Sequence, residues 1–98
     1  MVTVGLLVRI EAKSGKAAEV EALLNSALTR VREEPGTIAW FGLRLGPTTF
    51  GVFDAFPDDA GRQAHLAANA EALQAQAPEL FAGQPSIEYA DVLAAKLP

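Results

Sequence analysis

The stretch FDAFPDDAGRQAHL, residues 53–66, carries the only histidine of the chain, His65, together with Asp54, Asp58 and Asp59. Imidazole is the one side chain whose ordinary pKa lies near neutrality, and a carboxylate beside it can orient the ring or hold it charged. Asp54 alternates with Val52 and Phe56, so it points where Phe56 points, toward the helices. A carboxylate there has to be paired, and His65 and Arg44 are the candidate partners. An Asp54–His65 pair serves either as a catalytic dyad or as a clasp between helix and sheet, and the residues leave both open. Asp58 and Asp59 read as acids at a helix start, with Asp58 and Arg62 at i,i+4 spacing for an ion pair.

Three further side chains suit an aromatic ligand. Trp40 can stack on a ring, Arg44 can meet a phenolate, and Tyr89 can donate to an oxyanion. Each has an ordinary structural use as well: core filling, a pair at a subunit seam, or part of the sheet wall. Around His65, Gly61, Ala64, Ala68 and Ala72 share one side of the helix. They leave room either for close helix–sheet contact or for a cavity, while Leu66, Ala70 and Leu73 form a separate anchoring stripe.

The 98 residues suit one domain, residues 1–98, with half of them hydrophobic and a net charge of −4. The acidic balance and scattered Lys and Arg argue against a nucleic-acid partner. With no cysteine and one histidine, thiolate chemistry and a His- or Cys-rich metal site within one chain are excluded. Gly46 and Gly51 form no dinucleotide-binding pattern. No apolar run approaches the ~20 residues needed to span a bilayer, and the start of the chain lacks signal-peptide character. Cytoplasmic residence is the expectation.

The elements that must position these groups read in the order βαββαβ. Residues 2–12 alternate as a strand. An amphipathic helix runs from Lys16 to about Glu33, with Ser14 as its cap and Pro35-Gly36 as its stop. Residues 37–45 and 49–56 form a hairpin across Gly46-Pro47-Thr48. A second helix covers 59–76 and is interrupted at Pro78, with a short turn over 79–82. A last strand covers 86–94. This order at this length favours the ferredoxin-like plait, an α+β fold with an antiparallel sheet and both helices on one face. Both sheet faces are nevertheless apolar: Phe41, Leu43 and Leu45 oppose Ile38 and Trp40, and Phe53 and Ala55 oppose Phe50, Val52 and Phe56. A single chain would leave one apolar face open, and a second copy packed sheet to sheet is the economical cover.

The chain resembles the antibiotic-biosynthesis-monooxygenase-like proteins of the dimeric α+β barrel superfamily. The resemblance rests on EEPGTIAWFGLRLGP, on the strand ending in DAF, and on PDDAGRQAHL: Pro35, Gly36 and Trp40, then Asp54 and Phe56, then Ala64-His65. It implies a homodimer whose sheets form a barrel, with a pocket between each sheet and its helices. It also implies oxidation of a quinol-like or polyketide-type aromatic by molecular oxygen without metal or flavin. His65 and Asp54 are then the candidate catalytic residues, and Trp40, Arg44, Phe56 and Tyr89 the candidate ligand contacts. A haem-degrading branch is not implied, because Val8 and Phe56 stand where its Asn and Trp would be and His65 lies too early for its ligand. A non-catalytic dimer that binds a small hydrophobic molecule is the alternative.

Overall fold

In a computed structural model describing residues 1–98, the elements are β1 (Val4–Glu11), α1 (Ala17–Val31), β2 (Ala39–Arg44), β3 (Thr49–Phe56), α2 (Asp59–Leu80) and β4 (Ser86–Asp91). The strands form one antiparallel sheet in the order β2-β3-β1-β4. This is the ferredoxin-like plait that the element order favours. The register sets Leu6 opposite Asp54 and Tyr89, Val8 opposite Val52, Ile10 opposite Phe50, and Trp40 opposite Asp54. Residues paired across a ladder share a face, so these side chains all lie on the helix-covered side.

Packing is densest at one end of that side. Ile10, Ala12, Val20, Phe50, Leu80 and Phe81 form the buried cluster, and it ties the start of α1 and the end of α2 to the sheet. Full burial of such side chains stabilises by about 1.5–3 kcal/mol each. The opposite end of the sheet carries Asp54 and Phe56 beneath the second turn of α2, and there the buried groups turn polar.

Several helix boundaries differ from the sequence reading, each for a local reason. α1 begins after Lys16 without a side-chain cap; Ser14 lies instead in a turn with Gly15, whose φ of 76° is the left-handed region that glycine tolerates. α2 continues through Pro78 to Leu80. Proline removes one N–H near the helix end, a small loss there, while buried Leu80 and Phe81 and a Lys13 Nζ–Pro78 carbonyl bond of 2.5 Å hold that end in place. Asp58 does not pair with Arg62. It caps α2 by accepting from Gly61 N at 2.9 Å, and Arg62 pairs with Asp59 at 2.8 Å instead. From there the Arg62 guanidinium reaches the carbonyls of Gly5 and Ala90 and lies 4.6 Å from the centre of the Tyr89 ring. β4 stops at Asp91, short of Ala94.

On the face away from the helices, Leu7, Phe41 and Leu45 are 40%, 53% and 47% exposed. Gly5 is required on this face: a Cβ there would lie 2.8 Å from the Asp54 carbonyl and 3.3 Å from the Phe53 ring. The Phe53 ring occupies the space beside Gly5 and extends the apolar surface. No helix is long and apolar enough to cross a membrane.

Candidate functional site

Asp54 stands near the end of β3 with Leu6 and Trp40 as its cross-strand neighbours. Strand alternation turns it inward, and it is only 1% exposed. A buried carboxylate needs a compensating charge or hydrogen bonds. His65, in the second turn of α2, supplies the charge: its Nε2 lies 2.9 Å from Asp54 Oδ2. The contact is an ion pair rather than an aligned hydrogen bond, since neither Asp54 oxygen has a hydrogen-bond partner of good geometry. Phe56 packs against the imidazole, with ring centres 5.4 Å apart.

The other ring nitrogen is taken as well. His65 Nδ1 lies 2.5 Å from Oε1 of Glu34, in the segment between α1 and β2. Glu34 is itself held by Thr37 Oγ1, which donates at 2.7 Å, and by Asn69 Nδ2, which donates at 2.9 Å. Asn69 Nδ2 also donates to the His65 carbonyl at 2.8 Å, one turn back along α2. The carboxylate and the carbonyl are both acceptors, which favours the amide nitrogen on this side, where it also lies 3.3 Å from His65 Nδ1.

Burial alone would lower the His65 pKa, but the close contacts and negative charges of Asp54 and Glu34 outweigh it and raise the pKa above 6.5. For Glu34, partial burial works upward, and the bonds from His65, Asn69 and Thr37 with the imidazolium charge hold the carboxyl below 4.5. The cluster is one imidazole ring held at both nitrogens by carboxylates from two different parts of the chain, an arrangement that favours the protonated form. In this state the ring offers no free nitrogen to take up a proton.

Beside the cluster, between sheet and helices, lies a cavity of about 270 Å³. Its walls are mainly apolar, with Leu6, Val8 and Val52 from the sheet, Leu24 from α1, and Leu66 and Leu73 from α2. Asp54 and His65 form part of the wall, and Trp40 closes one side. The expected small face of α2 is not what borders the cavity: Ala64 and Ala68 are exposed, and the stripe of Leu66, Ala70 and Leu73 faces it. Phe56 sits behind the imidazole rather than in the cavity. Arg44 pairs with Glu21 and lies 4.9 Å from the Phe50 ring centre, outside the cavity, and Tyr89 lies under Arg62, also outside it. Glu34, Asn69 and Arg30 were not among the expected site residues. Asn69 had a signal, being one helical turn from His65; Arg30 and Glu34 read as the polar end of α1. No group of three or more His, Cys, Asp or Glu residues is placed to hold a metal ion.

No protein-family model and no curated protein sequence matches the chain. Solved structures do. The NE2512 protein of unknown function from Nitrosomonas europaea is 54% identical over 100% of this chain and 96% of its own, with a TM-score of 0.97. A protein from the same organism named as a candidate antibiotic biosynthesis monooxygenase superposes with a TM-score of 0.82 at 17% identity, covering 93% of this chain and 90% of its own. A likewise named protein from Caulobacter crescentus CB15 has a TM-score of 0.81 at 23% identity, covering 95% and 92%. At these identities the last two share the fold.

The charge cluster makes stability depend on pH in a defined direction. A raised His65 pKa contributes stability that is complete below 6.5 and is lost as pH rises through the folded value; a lowered Glu34 pKa contributes stability that is present above 4.5 and lost as pH falls. The melting-temperature advantage of the wild type over His65→Gln should therefore be largest between pH 4.5 and 6.5. An advantage that grows above that window in thermal melts would contradict the ion-pair assignment.

Proposed function

The chain belongs to one family with the NE2512 protein and has the antibiotic-biosynthesis-monooxygenase-like fold, and on that premise we propose that it oxidises a small quinol-like or polyketide-type aromatic with molecular oxygen and no cofactor. The observation that carries this reading is the apolar cavity with a single buried charge cluster, Asp54–His65–Glu34, at its wall. Cofactor-free oxygenation asks for that environment. The aromatic must ionise to an anion able to reduce oxygen, and the anion needs a fixed positive charge among dry walls. One oxygen atom then enters the product and the other leaves as water. All four electrons come from the aromatic, so no external reductant is required.

In this reading His65 is the catalytic residue, its protonated ring turning one N–H from Glu34 to the substrate anion rather than acting as a base. Asp54 and Glu34 position the ring and keep it charged. Trp40 offers a face for the aromatic. With His65→Gln, oxygen uptake on a panel of quinols and anthrones should fall by about 100-fold; wild-type protein that consumes no oxygen with any of them would remove the oxidation reading. The engagement of both ring nitrogens favours a second reading, a binding protein without turnover. Native mass spectrometry of freshly expressed protein separates the two, because a retained ligand together with absent oxygen uptake supports binding alone.

The same family resemblance and the apolar outer face support a homodimer. Leu7, Phe41, Leu45 and Phe53 form a surface of the kind that a second copy covers. Light scattering should give twice the chain mass at micromolar concentration, and Phe41→Glu should shift it to a single chain. A wild-type monomer under those conditions contradicts this assembly.

A further inference from the structure

Two hollows of the molecule meet at one side chain. The cavity beside the charge cluster has Trp40 of β2 and Leu24 of α1 in its wall. The same two residues line a second hollow, a groove of about 450 Å³ between α1 and the edge strand β2, with Asn25, Leu28 and Gly42 among its other walls. No other residue lines both. The sheet register shows how the division arises. Trp40 stands opposite Asp54, and Gly42 stands opposite Val52. Asp54 and Val52 both belong to the cavity wall, whereas Gly42 borders only the groove. The indole accounts for the difference. A Cβ on Gly42 would lie 3.4 and 3.5 Å from the ring carbons Cη2 and Cζ3 of Trp40, and 3.5 Å from Leu24 Cβ. The ring therefore extends along β2 from its own position over the glycine, and it converges there with Leu24.

We propose that Trp40 is a partition that sets the length of the ligand the cavity takes. A compact aromatic ends against the indole. A longer one is refused, because the indole and Leu24 shut off the space beyond. This deepens the reading above, resting on the same cavity and naming a residue that determines specificity. The partition holds because an aromatic ring packed on its neighbours gives up many dispersion contacts when it moves. Its removal should leave an opening rather than a collapsed wall. α1 is held to the rest of the fold by buried Val20 and Val31 on either side of Leu24, and a site anchored in that way closes only partly around a truncated side chain. The cavity and the groove would then form one elongated space, with apolar walls from Leu24 and Leu28 at the junction.

The test is a titration read by probe fluorescence, under nitrogen, with 2-naphthol and its elongated counterpart 6-phenyl-2-naphthol. Wild-type protein should bind 2-naphthol about tenfold more tightly than the longer probe. Trp40→Ala should tighten the longer probe by about tenfold, through burial of the added ring, and Trp40→Phe should gain less. Leu24→Ala opens the same partition from the helix side and should give a smaller gain; it carries the test if Trp40→Ala fails to fold. In the Trp40→Ala background, Asn25→Phe, at an exposed position in the groove, should cancel the gain and leave 2-naphthol binding unchanged. Equal affinity of the wild type for the two probes overturns the assignment. So does a folded Trp40→Ala protein that gains nothing for the longer probe, a gain that survives Asn25→Phe, or no saturation by 2-naphthol at millimolar concentration. Because binding is read without oxygen, absent turnover with the length preference intact removes only the oxidation reading. Turnover of a compact quinol without that preference removes only the partition.

Discussion

Asp54 is a carboxylate with 1% exposure on the inner face of a small sheet, and the arrangement of the site follows from the need to compensate it. Removing water from an ion costs several kcal/mol even after relaxation, and a neutral imidazole would not supply the missing countercharge. The raised pKa of His65 favours the cation that supplies it. A second carboxylate, Glu34, at the other nitrogen makes the cation more favourable still, and Thr37 and Asn69 keep that carboxylate in place. Three parts of the chain, β3, α2 and the segment after α1, are joined through one ring. Removing one partner of such a buried set typically costs about 3–5 kcal/mol.

The same arrangement determines what chemistry is available. A histidine with a free nitrogen is a base; one held by carboxylates at both nitrogens has none free to take up a proton. Its influence on a neighbouring ligand is electrostatic, and an apolar wall strengthens it. Packing is arranged to suit. The tightly filled cluster around Ile10, Val20 and Phe50 anchors one end of the helix layer. The charge cluster anchors the other, and the space between them stays open at about 270 Å³. An unfilled cavity costs stability, and two rigid ends keep the helices from collapsing into it.

Much of this was legible in the sequence where the signal was periodic. Strand alternation placed Asp54 toward the helices, β3 keeps its expected bounds of Thr49 and Phe56, and the apolar character of both sheet faces followed from Phe41, Leu45 and Phe53. The pairing of Asp54 with His65, one of two candidate partners, follows from the strand–helix junction that brings them together. What escaped was non-local or a choice between near-equal neighbours. Glu34 continues the polar end of a helix in sequence, and only the turn at Pro35-Gly36 swings it across to α2. Arg62 had acids at both i−4 and i−3. The need of α2 for a cap took Asp58, which left Asp59 for the arginine. Pro78 looked like a stop because helix propensity is local, whereas buried Leu80 and Phe81 carry the helix past it.

One histidine in the chain means one imidazole signal, so the titration of His65 can be read directly by nitrogen-15 NMR. The account predicts a midpoint above 6.5 in the wild type, and that Glu34→Gln moves it down toward 6.5. A wild-type ring that titrates below 6.5 would contradict it.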